Sequence, residues 1–326
     1  MPQRLFAIIT NTFTETLRQP IFGIMVISTI LVLILCPSLA MFTLEDDNQL
    51  LKDIGLSTIM LAGMLLAVFA ATSVVSEEIE NKTALTVISK TVGRGMFVLG
   101  KFIGIVGAVI LAEYLLCLVL LMVIRHGVMQ DSSDKHDSVI ITLGSVGLGL
   151  TFLLSLAGNY FYKWRFSSTT IIAGGLLATI VILLLYLLDP HWKVNPAENH
   201  LQWNLLAPMA LTIISVIIMT AIAVAAAFRF NLITTLVFCC LIFVLGAILE
   251  NWLGPVARAQ SGPASYLAWA VLTVVPNISF SVVTNTTYQG TPLPLDYIAQ
   301  VALYAFFYVT ACLLFAIILF RTREIG

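Results

Sequence analysis

The sequence predicts an all-α polytopic membrane protein with about eight transmembrane helices, in a range of six to eight. Three observations carry this. The 326 residues are 60% hydrophobic and only 10% charged, against about 25% charged in soluble domains. Apolar runs long enough to span a bilayer, which takes roughly 20 residues, recur from end to end. Lys and Arg are also distributed unevenly between alternate loops, as the positive-inside rule expects.

The spans read as 21–43, 54–75, 98–124, 138–162, 169–188, 207–228, 232–250 and 297–320. Ahead of them, residues 3–19 place Leu5, Ile9, Phe13 and Leu17 at i+4 spacing, with Ile8 alongside and Arg4, Asn11, Glu15 and Arg18 on other faces. That pattern suits an amphipathic helix in the headgroup plane, ending where Pro20 turns the chain inward. If the N-terminus is cytoplasmic, eleven of the sixteen Lys and Arg residues fall on the cytoplasmic side. Both termini are therefore expected there. The long outer loop 251–296 contains an apolar stretch, Tyr266–Val275, that is too short to span and is closed by Pro276. Such a stretch suits an interfacial or a re-entrant helix.

No soluble segment is long enough for a core of its own, so the whole chain, 1–326, reads as a single transmembrane domain. A net charge of −1 argues against nucleic acid as a partner. The five cysteines (Cys36, Cys117, Cys239, Cys240, Cys312) all sit in apolar runs without CxxC or Cys/His spacing, so no metal or other cofactor is expected. The outer-loop run DSSDKHD at 131–137 has carboxylates and His136 but no ligand spacing, and it reads as a solvated loop.

One polar insert, Ser76–Lys101, interrupts the apolar pattern on the expected cytoplasmic side. Glu77, Glu78 and Glu80 open it, where negative charge complements a helix N-terminus. Leu85, Ile88 and Val92 form one apolar stripe, and Lys90 and Arg94 follow toward the end. Gly93 and Gly95 are expected to form a sharp turn before the next span. The outcome is a short amphipathic helix held between two spans, or an ordinary cytoplasmic loop.

The insert resembles the signature of type-2 ATP-binding-cassette (ABC) exporter permeases. Ser76, Glu77, Glu78 and Glu80 match the acidic start of that signature, Thr83, Leu85, Val87, Ile88 and Ser89 its middle, and Arg94, Gly100 and Lys101 its exit. Lys82 replaces a common Gly, and Thr91 stands where Pro is common. The C-terminal part is similar as well, through Pro276-Asn277, Gly290, Pro292, Pro294, Tyr297, Tyr304, Tyr308 and Phe320-Arg321 with Arg323 and Glu324. The resemblance implies a permease subunit without enzymatic activity in the cytoplasmic (inner) membrane. It also implies an ABC ATPase subunit in trans and a second permease chain, as a homo- or heterodimer. The segment 76–97 would be the coupling helix, with Glu77, Glu78, Glu80, Thr83, Leu85, Ile88 and Arg94 as its ATPase contacts or anchors.

Residues 95–101, GMFVLGK, fit the start of a phosphate-binding loop, but Phe102 follows where Ser or Thr is needed and no strand precedes it. Glu113 is the one acid in the middle of a span, about 18 Å along the helix from Lys101. Intramembrane acids are functional candidates, so Glu113 could contact substrate, carry a proton or bond a neighbouring helix. Those roles keep two other classes open: a secondary transporter or channel using Glu113, and a non-catalytic membrane scaffold. Glu250 and Asn159 lie nearer span ends, where snorkelling or capping accounts for them.

Overall fold

The apolar runs all fold as helices because a chain in hydrocarbon must satisfy its backbone hydrogen bonds within itself. The computed structural model describes residues 2–40, 47–76, 93–128, 136–258, 262–281 and 293–322. In order these form α1 (Pro2–Arg18), α2 (Pro20–Ala40), α3 (Asp47–Ala71), α4 (Arg94–His126), α5 (Ser138–Tyr162), α6 (Phe166–Leu187), α7 (Leu206–Ala227), α8 (Leu232–Arg258), α9 (Pro263–Val274) and α10 (Leu295–Thr322). Eight of them are long and apolar enough to cross a membrane, α1 and α9 being the exceptions. The protein is therefore an all-α, multi-pass membrane protein, and every predicted span overlaps one of the eight helices. The side of the helical layer that carries α1 is called the near side below.

The centre of the bundle is α3, α4 and α7, whose most apolar stretches are 61%, 67% and 78% buried, against 17% for α8 and α10. Between helices in lipid there is little hydrophobic drive, so close packing depends on small residues. The α7 run from Ala221 to Ala227, AIAVAAA, provides such a surface, and it is buried throughout. The outer helices carry exposed Leu, Ile, Val and Phe, such as Leu153 on α5, Val237 on α8 and Phe307 on α10. Apolar exposure of this kind is what a lipid-facing surface requires.

Away from the near side, three helix ends are tied by one buried cation. Arg125, in the last turn of α4, donates from Nε to Asp137 Oδ2 at 3.2 Å, from Nη1 to the Leu185 carbonyl at 2.6 Å and from Nη2 to the Leu188 carbonyl at 3.1 Å. Asp137 is also the N-cap of α5, accepting from the Val139 and Ile140 amides at 3.0 and 3.1 Å. His136 stacks on His126 with its ring centroid 5.7 Å away. The described end of the DSSDKHD loop is thus occupied with capping and stacking. Residues 131–135 lie outside the described ones.

The described part of 251–296 folds back along α8 as a hairpin. Helix α9 begins beside the end of α8, where Ser265 Oγ donates to the Ala257 carbonyl at 2.9 Å. It runs back until Ile278 N donates to the Gly246 carbonyl at 3.1 Å. Gly246 lies twelve residues before Arg258, or about 18 Å down the helix. A Cβ at Gly246 would stand 2.5 Å from the Pro276 carbonyl oxygen, so a glycine is required where the hairpin touches α8. Two tyrosines of α10 satisfy the turning backbone: Tyr308 donates to the Val274 carbonyl and Tyr304 accepts from the Asn277 amide, both at 2.9 Å.

Two polar residues near span ends find specific partners. Asn159 donates to the Trp164 carbonyl just past the end of α5, at 2.7 Å. Glu250 forms an ion pair with Arg258, two turns further along α8.

Breaking a buried ion pair by removing one partner costs about 3–5 kcal/mol. Asp137→Ala removes the carboxylate from Arg125 together with the α5 cap. Thermal unfolding in detergent is expected to show a loss of about 3 kcal/mol or more. A variant within 1 kcal/mol of the native protein would show that the pair contributes little.

Candidate functional site

The insert that carries the family resemblance leaves α3 and returns through α4. Both are central helices, so the described residues at its two ends belong to the core. Glu77, Glu78, Glu80, Thr83, Leu85 and Ile88 lie outside the described residues, whereas Arg94 is described. At the departure, α3 passes into a π-helical turn, Thr72–Ser76. Local π geometry of this kind is frequent at functional sites. Ser73 Oγ donates to Gln19 Oε1 at 2.7 Å, which ties this turn to the joint between α1 and α2. Ser167, at the start of α6, donates to the Gln19 carbonyl at 3.1 Å. Gln19 therefore gathers α1, α2, α3 and α6 on the near side.

At the return, the sequence's expectation of a glycine turn is corrected. Gly93 is extended, with φ −65° and ψ 144°, and serves as the N-cap of α4. Arg94 is the first residue of that helix and is exposed, while Gly95 already lies inside it with Ile317 of α10 3.5 Å from a would-be Cβ. Neither glycine adopts a left-handed conformation. Phe97 then stacks on Phe320 of α10 with centroids 5.8 Å apart, and Phe320 meets Phe228 past the end of α7 at 5.0 Å. This aromatic cluster joins three helix ends beside the point where the insert returns.

The Gly-Lys pair at the exit of the motif docks α1. Cβ atoms built at Gly100 and Gly104 would fall 2.6 Å from Ile8 Cγ2 and 2.6 Å from Thr12 Cβ, and Gly104 would also meet the Ile9 carbonyl oxygen at 2.8 Å. Two glycines four residues apart let helix backbones approach this closely. Lys101 is buried, with Nζ 3.6 Å from Glu15 Oε2 of α1 and 5.7 Å from the centre of the Phe97 ring. The side chain that a phosphate loop would present to nucleotide is thus spent on α1. The buried face of α1 includes Thr12 and Thr16 beside Leu17, and only the aliphatic part of it was legible as an apolar stripe. Thr16 Oγ1 donates to the Thr12 carbonyl at 2.9 Å, which lets the hydroxyl sit in an apolar contact.

Glu113 stands in the core itself and does not join the insert. Its side chain is 0% exposed, and neither carboxyl oxygen has a hydrogen-bond partner among the described residues. Oε1 points to Gly63 of α3, where an added Cβ would lie 2.5 Å from it and 2.6 Å from Val216 Cγ2 of α7. Tyr114, its neighbour in sequence, turns away and shares a hydrogen bond with Thr179 of α6 at 2.8 Å. The structural role weighed for Glu113, a bond to a neighbouring helix, has no partner among the described residues. The sequence could flag the acid but not Gly63, because nothing local distinguishes that glycine from any other in an apolar run.

No protein-family model matches this chain, and no curated protein matches it.

Filling the glycine contact should release α1. Gly104→Leu is expected to raise hydrogen exchange and protease cleavage across residues 2–18 by at least tenfold, while helical content measured by circular dichroism stays unchanged. Unaltered protection of that segment would show that α1 is held by something other than the glycine face.

Proposed function

We propose that the chain is the membrane-spanning permease subunit of an ABC-type exporter, which moves a substrate across the cytoplasmic membrane using ATP hydrolysed by a separate ATPase subunit. One observation supports this beyond the resemblance. The insert connects α3 to α4, two of the three most buried helices, and its described ends are fastened to α1, α2, α7 and α10 by the Gln19 and Phe320 contacts. A push on such a segment is delivered to the core rather than absorbed in a loop. On this reading both termini and the insert are cytoplasmic, as the Lys and Arg distribution supports. Glu77, Glu78, Glu80, Thr83, Leu85, Ile88 and Arg94 contact or anchor the ATPase, and α1 lies beside them. A second permease chain completes the pathway, with the apolar outer helices facing it or lipid. ATP-driven closure of the ATPase pair moves the insert, and the joined α3 and α4 reorient.

A second reading, secondary transport through Glu113, is favoured by the unpartnered burial of that acid. It predicts transport that continues without any ATPase subunit and stops in Glu113→Gln.

The first reading is tested by purifying the protein from its native membrane. An ABC ATPase is expected to accompany the native chain. Glu77→Ala with Glu80→Ala, or Leu85→Asp, should reduce its recovery and its stimulated hydrolysis at least tenfold without loss of membrane insertion. A native protein that carries no ATPase, with transport intact in these variants, would contradict the proposal.

A further inference from the structure

The unpartnered acid in the core leads to an inference that stands apart from the ATPase reading. Glu113 sits near the middle of the 33-residue α4. An ionised carboxylate deprived of both water and a counter-charge costs several kcal/mol. Among the described residues, the surroundings offer no counter-charge. On α3 the nearest charged residues are Lys52 and Asp53, ten or more positions from Gly63, and α7 has no titratable side chain at all. Along α4 itself, Lys101 engages Glu15 on α1, and Arg125 engages Asp137. Among the other helices packed on α4, α2 contributes only Cys36 and α6 only Tyr186 as titratable groups. Tyr304 and Tyr308 of α10 are bonded to the hairpin around α9, and Cys312 lies one turn beyond Tyr308. Within the span, the nearest titratable side chain on the face of Glu113 is Cys117, one turn further along α4 and also buried.

We propose that Glu113 is a proton-binding site whose occupancy is linked to opening of the α3–α4–α7 core. In the closed core the carboxyl keeps its proton, and Gly63 leaves just the space that the neutral group fills. Release requires water between α3 and α4 at that glycine. The carboxyl O–H bond then breaks, its electron pair stays on the carboxylate, and the proton passes to the entering water. The charged form in turn disfavours reclosure until a proton returns. Raising the pH therefore favours the open core, and lowering it favours the closed one.

Cys117 is a built-in reporter of that opening. Replacing Cys36, Cys239, Cys240 and Cys312 with Ala leaves it as the single thiol. The full-length protein in lipid nanodiscs is labelled with a small, water-soluble methanethiosulfonate across a pH series, with and without Glu113→Gln. The glutamine variant supplies the baseline for the thiol's own ionisation, and Glu113→Met replaces it if the amide does not insert. The ratio of native to baseline rate is expected to climb with pH, approaching tenfold per unit as one-proton linkage requires. Glu113→Asp should retain that slope. Infrared spectra at neutral pH should contain a protonated-carboxyl C=O band that Glu113→Gln lacks. A flat rate ratio overturns the linkage to opening, and the absence of a lost carboxyl band overturns the proton site itself. Neither result depends on whether an ATPase binds the insert.

Discussion

The architecture depends on how closely neighbouring helices can approach α4. In lipid there is no water to expel between apolar helices, so association rests on van der Waals contact and on fitting polar groups. Helix α4 meets this constraint on two faces. Near its start, Gly100 and Gly104 admit α1 until side chains rest on backbone, and the buried Lys101 reaches Glu15 across the same contact. At its middle, the bulk belongs to α4 and the gap to α3: Glu113 fills the space over Gly63. Arg125 closes the far end of the helix by holding the ends of α5 and α6.

On the proposed function, this arrangement would give the polar insert mechanical consequence. Flexible loops between peripheral spans transmit little, since they can deform without moving a packed helix. Here the flanking helices are central, and the turn before the insert is fixed through Ser73 and Gln19 to the α1–α2 joint. Packed cores respond to such a push by switching between arrangements rather than by deforming continuously. The α3–α4 contact at Gly63 is where a switch would be felt, and it contains the one acid in the middle of a span. The far side has its own fixed geometry, where a helical hairpin descends to Gly246 and hangs from Tyr304 and Tyr308.

Much of the fold was legible in the sequence because spanning helices are written in long apolar runs. The spans and the short apolar helix in the last loop all follow from length and composition, and α1 follows from its four-residue periodicity. What escaped was pairwise geometry. Thr12 and Thr16 lie outside the aliphatic stripe, yet they line the buried face of α1, where the Thr16 hydroxyl bonds back to its own helix. Gly100-Lys101 read as the exit of a motif, and the structure shows it as a docking surface. Gly93 and Gly95 read as a turn, but Gly93 caps α4 in an extended conformation and Gly95 already lies inside that helix. Asp137 read as part of a solvated loop, but its partner Arg125 precedes it by twelve residues and is recognisable only once α4 and α5 lie side by side. Glu113 was visible as an intramembrane acid; its lack of a partner was not.

The central claim is that the insert moves α3 relative to α4. The most direct measurement places spin labels at Gln49 on α3 and His126 on α4, the ends remote from the insert, and records their separation by pulsed electron resonance in the complex with the proposed ATPase. The account predicts a distance distribution that changes when ATP binds and returns when nucleotide is removed. A distribution identical in both states, in a preparation that still transports, would contradict it.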